Sequence, residues 1–332
     1  MEKRDVVVYS EDYKKLVDAA ALKDKYYEID ERVEEICKEA FKGCDKLEEI
    51  VMPKKLKKID SEAFQGCSSL TKLTLPDSVA RIDGLAFCGC SGLTELTLPN
   101  SVKSIGDGAF ADCSGLEKIT VESGNSCYDS RDNCNSIIET ETNTLIAGCK
   151  NSVIPNSVTS IGDSAFEGCT GLTELILPSS VTSIGDSAFS ECSGLEKITV
   201  ERGNIHYDSR DNCNSIIDKK TNTLIVGCKN SIIPNSVTRI GNHAFDGCSG
   251  LTELTLPNSV TSIRHDAFYG CSGLAKITSL AEIPPVCGSG VFDRVNKTNC
   301  ELIVLEGSVA AYTQAKGWKE FSNIRGFVGE KK

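Results

Sequence analysis

The chain has 332 residues, a net charge of −11 at pH 7 and 17 cysteines. Because nucleic acids and anionic membranes repel an acidic surface, this charge disfavours both as partners. The sequence has no run of about 18 apolar residues, so we expect no membrane insertion. Residues 1–9 lack the apolar core of a signal peptide, so we also expect no leader in this chain.

The first predicted element is a short helix over residues 10–23. Ser10 can cap this helix, and Glu11 and Asp12 lie favourably in its first turn. The residues that would form its apolar side are Leu16, Ala19, Ala20 and Leu22. We therefore predict an N-terminal helical cap over residues 1–25.

Residues 26–279 repeat with a period of 23 residues, and an Ala-Phe pair marks each copy. A fixed period of this length is typical of a solenoid, in which stacked coils bury one continuous core. The repeated phenylalanines, which we expect to stack, are Phe41, Phe64, Phe87, Phe110, Phe166, Phe189, Phe245 and Phe268.

Residues 91–113 represent one copy. Leu96 and Leu98 alternate with Glu95 and Thr97, which predicts a short strand. Pro99 ends that strand, because proline has no N–H for the next ladder bond. The residues predicted to return to the interior are Val102, Ile105, Ala109 and Phe110, the last two in a brief helical turn.

Two blocks, near residues 122–154 and 201–233, lengthen the spacing to 33 residues. They are near copies that lie 79 residues apart, which indicates that a cassette of three coils was duplicated. In each block two apolar pairs flank a polar segment, which predicts a hairpin that projects from its coil or widens it. The apolar pairs are Ile137-Ile138 with Leu145-Ile146, and Ile216-Ile217 with Leu224-Ile225.

Residues 280–332 differ in composition and predict a C-terminal cap. Pro284 and Pro285 end the regular repeats. Residues 302–305 predict one more strand, and residues 308–315 predict a short helix before Trp318, the only tryptophan.

Eight cysteines share one repeat position and predict a buried row. With strands about 5 Å apart, their side chains would point the same way, which suits free thiols better than disulfides or a metal. These cysteines are Cys44, Cys67, Cys90, Cys113, Cys169, Cys192, Cys248 and Cys271. The candidates for a bridge are Cys134 with Cys149, Cys213 with Cys228, and Cys287 with Cys300.

The repeated pattern LxxLxLPxxVxxIGxxAFxxC resembles the BspA-like, or treponemal, class of leucine-rich repeats over about residues 26–327. The resemblance implies an α/β repeat solenoid of about twelve coils. It would be a right-handed array with a parallel sheet on the concave face and short helical turns on the other. It also implies a microbial surface or secreted protein that adheres to host proteins or other cells. Because this chain shows no leader and no anchor, an intracellular location stays open.

Two rows of side chains on the predicted concave face are the candidate binding site. The first row alternates in charge and comprises Glu49, Lys72, Glu95, Lys118, Glu174, Lys197, Glu253 and Lys276. The second row is mainly threonine, with two apolar exceptions, and comprises Val51, Thr74, Thr97, Thr120, Ile176, Thr199 and Thr255. The rows are either a self-neutralising, solubilising ladder of cross-strand pairs or a binding face for a polar protein or glycan.

The sequence contains no recognisable catalytic group. His206, His243 and His265 do not share a motif with a nucleophile or an acid, so we expect no enzyme, no cofactor and no metal. The repeated segment YDSRDNCNS lacks the ligand spacing of a calcium loop and favours Asx-turns. The sequence therefore predicts a non-enzymatic interaction scaffold, with a structural spacer that binds no ligand as the alternative.

Overall fold

The computed structural model describes residues 7–328. Most of the stretch for which we predict no leader, residues 1–9, therefore lies outside the described residues. The chain is a β-solenoid of about 14 turns, two more than the sequence predicted. The additional turns arise because strands near both ends of the chain extend the stacks.

The strands are short and follow one another through the whole described chain. In the first half they are β1 (Val8–Tyr9), β2 (Lys15–Asp18), β3 (Tyr26–Glu28), β4 (Glu35–Ile36), β5 (Glu49–Val51), β6 (Lys58–Ile59), β7 (Lys72–Leu73), β8 (Arg81–Ile82), β9 (Glu95–Leu98), β10 (Ser104–Ile105), β11 (Lys118–Val121), β12 (Tyr128–Asp129), β13 (Ile137–Glu139) and β14 (Thr144–Ala147). In the second half they are β15 (Ser160–Ile161), β16 (Glu174–Leu177), β17 (Ser183–Ile184), β18 (Lys197–Val200), β19 (Tyr207–Asp208), β20 (Ile216–Asp218), β21 (Thr223–Val226), β22 (Arg239–Ile240), β23 (Glu253–Leu256), β24 (Ser262–Ile263), β25 (Lys276–Ser279), β26 (Val286–Cys287), β27 (Glu301–Leu305) and β28 (Asn323–Phe327). The one α-helix among the described residues is α1 (Val309–Tyr312), and the 3₁₀ segments are Arg131–Asn133, Arg210–Asn212 and Glu306–Ser308. No helix within residues 7–328 is long and apolar enough to cross a membrane.

The chain divides into two units, Met1–Gly171 with Ser183–Phe189, and Leu172–Thr182 with Ser190–Lys332. Each unit has front strands, which come from the LTELTL part of the repeat, and back strands, which follow the proline turn. In the first unit the front strands form β3-β5-β7 and β9-β11, and the back strands form β1-β2-β4-β6-β8-β10 and β12-β13-β14-β15-β17. In the second unit the front strands form β16-β18 and β23-β25-β27-β28, and the back strands form β19-β20-β21-β22-β24-β26.

Stacked phenylalanine rings fill the core of each unit, as predicted. In the first unit the ring centroids of Phe41, Phe64 and Phe87 lie 4.9 and 5.1 Å apart. In the second unit Phe268 stacks at 5.1 Å on Phe245 and at 5.7 Å on Phe292, which extends the row into the C-terminal cap. Because each ring lies over its own copy in the next coil, one packing solution serves every repeat.

The helical turns predicted beside the Ala-Phe pairs are wrong, and the repeats are all-β rather than α/β. Gly108 and Asp112, on either side of Ala109 and Phe110, both have positive φ, at 61° and 57°. A left-handed residue ends a right-handed helical run, so two of them four residues apart leave only hydrogen-bonded turns. The turns of successive coils bond to one another, as when the N–H of Phe87 donates to the carbonyl of Ala109 at 2.8 Å.

The predicted N-terminal helix over residues 10–23 is also wrong. Residues 15–18 form β2, in which Leu16 pairs in parallel register with Ile36 of β4. Leu16 is fully buried, whereas Val17 is exposed, which is the alternation of a strand. A neighbouring strand supplies bonds to the backbone along its whole length, and this tertiary pairing overrides the local preference for a helix.

The predicted hairpins of the 33-residue blocks are confirmed. Strand β13 pairs antiparallel with β14, and β20 pairs antiparallel with β21. The hairpins lie within the back sheets, because β14 continues in parallel to β15 and β21 to β22. The insertions therefore widen their coils instead of projecting from them.

The elements of the C-terminal cap follow the prediction closely. Strand β27 covers the predicted residues 302–305, and the predicted helix over residues 308–315 is the shorter α1, preceded by a 3₁₀ turn. Trp318 is fully buried, and its indole N–H donates to the carbonyl of Pro285 at 2.8 Å.

Candidate binding face

The charged row lies on the outward side of the front strands, and its members pair across neighbouring strands in register. Lys72 Nζ lies 2.6 Å from Glu49 Oε1, and this hydrogen bond raises the pKa of the lysine. In the second unit Lys197 Nζ lies 2.6 Å from Glu174 Oε1. Lys276 Nζ lies 3.5 Å from Glu253 Oε2, and the register pairs Lys118 with Glu95 in the first unit. These exposed pairs contribute little stability, so they neutralise the face more than they hold it together.

The row continues into the C-terminal cap, which the 23-residue period did not reveal. Glu301 of β27 pairs in register with Lys276 on one side and with Asn323 of β28 on the other. Arg325, two residues along β28, lies 3.3 Å from Glu301. The charged row therefore extends through the last described strand of the second unit.

The second row is richer in exposed β-branched apolar residues than predicted. The exposed fraction is 50% for Ile176, 67% for Val153 and 68% for Ile232. The last two residues lie in the 33-residue blocks, where counting by 23 fails. Each lies two residues before a proline, as Thr97 does, so counting back from the proline would have found them.

The front sheet of the second unit is interrupted beside β18, where part of the inserted block takes the place of a strand. The side-chain amide of Asn214 pairs with the strand edge. Its Oδ1 accepts the N–H of Ile198 at 2.6 Å, and its Nδ2 donates to the carbonyl of Glu196 at 2.7 Å. Asn230 Nδ2 also donates to Glu196, at 3.2 Å. The amide of Asn214 thus substitutes for a peptide group of the missing strand.

A polar cleft of about 780 Å³ opens beside this contact. Its lining includes three charged residues after or within β18 and three asparagines of the inserted block. The lining residues used below are Lys197, Thr199, Arg202, Asn212, Asn214 and Asn230.

The family model described as BspA type leucine-rich repeat region matches the chain over residues 21–138, 136–225 and 215–311, in six copies. The chain belongs to this family of BspA type leucine-rich repeats. No curated protein matches it significantly.

Solved structures of bacterial leucine-rich repeat proteins share the fold. A leucine-rich cell surface protein from Faecalibacterium prausnitzii A2-165 is 26% identical with a TM-score of 0.53, and the match covers 98% of this chain and 87% of that one. The pneumococcal vaccine antigen PcpA is 22% identical with a TM-score of 0.54, and the match covers 93% and 80% of the two chains. A leucine-rich repeat protein from Eubacterium ventriosum is 21% identical with a TM-score of 0.51, over 83% and 78%. The last two comparisons concern the fold alone.

In this BspA type repeat the conserved place of the cysteine is a buried hydrogen-bonding position. All eight cysteines of the row are buried and free, as predicted. The Sγ of Cys90 donates to the carbonyl of Phe64 at 3.3 Å, and that of Cys271 donates to Phe245 at 3.1 Å. Burial raises the pKa of the Cys169 thiol to about 12. The candidate bridging cysteines, including Cys134 and Cys149, are also free thiols.

The histidines and acidic loops of this BspA type chain have structural roles. His243 Nδ1 lies 3.0 Å from Asp246 Oδ2, and His265 Nδ1 lies 2.6 Å from the Oγ of Ser289. In the YDSRDNCNS segment the N–H of Arg131 donates to Asp129 Oδ1 at 3.2 Å, which is the predicted Asx-turn. Within residues 7–328 no three His, Cys, Asp or Glu side chains are placed to hold a metal ion. No catalytic family is indicated by the comparisons.

Proposed function

We propose that this chain is a non-enzymatic interaction scaffold at a microbial surface, which binds host proteins or glycans through front strands on the concave side of a right-handed array. The observation that carries the proposal is the outward face of the front strands. In each unit it presents charged, hydroxyl and β-branched side chains at fixed heights on parallel strands. Such a face offers a broad area for contact.

Two further facts support a binding role at the surface. The Faecalibacterium prausnitzii structure is described as a cell surface protein. Exposed β-branched residues recur at one height of the face, at Val51, Val153, Ile176 and Ile232, although serine or threonine there would be enough for solubility.

A structural spacer that binds no ligand is the second candidate. The ion pairs Glu49–Lys72, Glu174–Lys197 and Glu253–Lys276 favour it, because they neutralise the charged row within the chain itself. A self-neutralised ladder keeps a surface soluble without attracting a partner.

Binding to an immobilised extract of host extracellular matrix tests the two candidates. We expect the full chain to bind saturably. The bulky front-face variants Thr97→Arg and Thr255→Arg should weaken this binding by tenfold or more. The matched variant Thr261→Arg, at an exposed position next to a back strand, should bind as the parent does. Absence of saturable binding, or equal binding by all variants, would favour the spacer.

A further inference from the structure

The polar cleft beside β18 has the features of a peptide-binding site. We propose that it binds an extended peptide segment that carries carboxylate side chains between apolar ones. This inference rests on the proposed function and assigns a partner to one part of the front face. All the residues that carry it belong to the second unit.

The floor of the cleft is built in advance of any ligand. Asn214 is bonded through both atoms of its amide to the edge of β18, at 2.6 and 2.7 Å. The Oγ of Ser231 donates to the carbonyl of Asn214 at 2.6 Å, and the N–H of Ile232 donates to Cys213 at 2.9 Å. These bonds fix the inserted segment between β18 and residues 230–233, so a ligand would meet an ordered surface.

The side chains that face the cleft suit peptide groups. An asparagine amide offers two donors and one acceptor, and a peptide group offers one donor and one acceptor. Asn212 is exposed in the cleft. Asn230 uses only its Nδ2 group in the bond to Glu196, and Thr199 adds a hydroxyl from β18. An extended backbone could therefore pair with amides on one side and a strand side chain on the other.

The charges of the cleft select a carboxylate. Lys197 is paired with Glu174 at 2.6 Å, and Glu196 is paired with Lys229 at the same distance. Arg202 also lines the cleft, and no carboxylate in the described part of the chain lies within 4.0 Å of its guanidinium group. In a chain of net charge −11, this unpaired arginine is a local attraction for an acidic side chain.

Apolar side chains flank the cleft and favour a peptide over an acidic sugar. Ile176 pairs in register with Thr199, which places the two side chains about 5 Å apart. Ile232 lies on the other side of the inserted Cys213–Asn214 segment. Both isoleucines are at least half exposed. They offer contacts to apolar side chains, which a peptide has and a polyuronate lacks.

The first cassette provides a natural comparison within the chain. It has the same three asparagines, as Asn133, Asn135 and Asn151, but Ser123 stands where the second cassette has Arg202. Thr97 likewise stands where the second cassette has Ile176. We therefore expect one acidic-peptide site per chain, and it should be in the second cassette.

Fluorescence anisotropy with the full chain tests the proposal. The probe is a fluorescein-labelled peptide of seven alternating valine and aspartate residues, and the same peptide with lysine for aspartate is its control. We expect saturable binding of the aspartate peptide alone. Arg202→Ser should weaken it by tenfold or more, whereas Arg264→Ser, a change of the same kind at an exposed position outside the front face, should leave it unchanged. The double variant Ser123→Arg with Thr97→Ile should raise the stoichiometry from one to two.

Several outcomes would overturn this assignment. They are absence of saturable binding at millimolar chain, binding that ignores Arg202→Ser, a stoichiometry of one in the double variant, or Arg202-dependent binding of tetragalacturonate in place of the peptide. Failure of the peptide while Thr255→Arg still abolishes matrix binding would sink this inference and leave the scaffold proposal standing. Peptide binding without any matrix binding would do the reverse.

Discussion

At the scale of the residue, the cysteine position explains how one small side chain can recur through the whole array. A thiol fills a small apolar space and also donates a weak hydrogen bond. Cys67 donates to the carbonyl of Phe41 and Cys90 to that of Phe64, in each case 26 residues earlier. The cysteine row therefore links the backbone of each coil to the next while it completes the packing around the phenylalanines.

The thiol row should make the protein less stable at alkaline pH. Burial raises the pKa of Cys248 to about 12, against roughly 8.5 in an unfolded chain. The folded state thus holds the proton more tightly, so this contribution is complete below about pH 8.5 and is lost as the pH rises towards 12. Between pH 7.5 and 10.5, Cys248→Ala should lose about 2 kcal/mol less stability than the parent.

Urea unfolding followed by the fluorescence of Trp318, in the same unit, measures this difference. Ser272→Ala, an exposed change nearby, should show the pH dependence of the parent. An identical pH dependence for Cys248→Ala would contradict the expectation.

At the scale of the element, a single buried asparagine fixes each 33-residue block to the preceding coil. Asn204 Nδ2 donates to the carbonyls of Pro178 and Val181, both at 2.9 Å. Its Oδ1 accepts the N–H groups of His206 and Tyr207, at 2.9 and 2.8 Å. Asn125 makes the equivalent four bonds in the first block. One amide thus satisfies two carbonyls and two N–H groups where the regular repeat is broken.

Removal of this amide should destabilise the second unit markedly. In Asn204→Ala the two carbonyls and two N–H groups lose their partner in a buried place, which we expect to cost about 3 kcal/mol. The measurement is the urea midpoint reported by Trp318. Asn258→Ala, at an exposed turn, is the matched control and should change the midpoint little. Equal midpoints for the two variants would show that the amide does not hold the block.

At the scale of the whole molecule, the two units have separate buried cores built by the same rules. One apolar cluster runs from Leu16 to Cys149, and another from Cys213 to Phe321. In each cassette a glycine takes the place next to the phenylalanine ring of the following coil. A Cβ at Gly148 would overlap the ring of Phe166, and a Cβ at Gly227 would overlap that of Phe245. The duplicated cassettes therefore allow the same substitution in either unit.

This pair of glycines tests whether the units unfold separately. Repeat arrays lose stability locally, because each coil contacts only its neighbours. Gly227→Ala should cost about 1 to 3 kcal/mol from overpacking and lower the midpoint seen by Trp318. Gly148→Ala should lower the circular-dichroism midpoint and leave the Trp318 midpoint nearly unchanged. Gly307→Ala, where a Cβ would meet nothing within 4 Å, is the control. Coincident shifts in both signals would contradict independent units.

The repeat itself made most of the fold predictable. A 23-residue period forces each residue to face its own copy, so the phenylalanine and cysteine rows and the strand ends at proline could be read directly. The hairpins were predictable for the same reason, because paired apolar runs around a polar turn need no distant information. The first-row residues could likewise be placed, since strand alternation fixes which side chains point outward.

Only the tertiary structure decided what depends on a partner outside the local sequence. Residues 15–18 became a strand because Ile36 and its neighbours supplied a ladder, and the expected helical turns became β-type corners because stacked coils bond through left-handed residues. The cleft beside β18 was hidden because the 33-residue block breaks the count that relates one coil to the next. An insertion of ten residues keeps no fixed phase with its neighbours, so the position of Asn214 against the strand edge follows from packing and not from period.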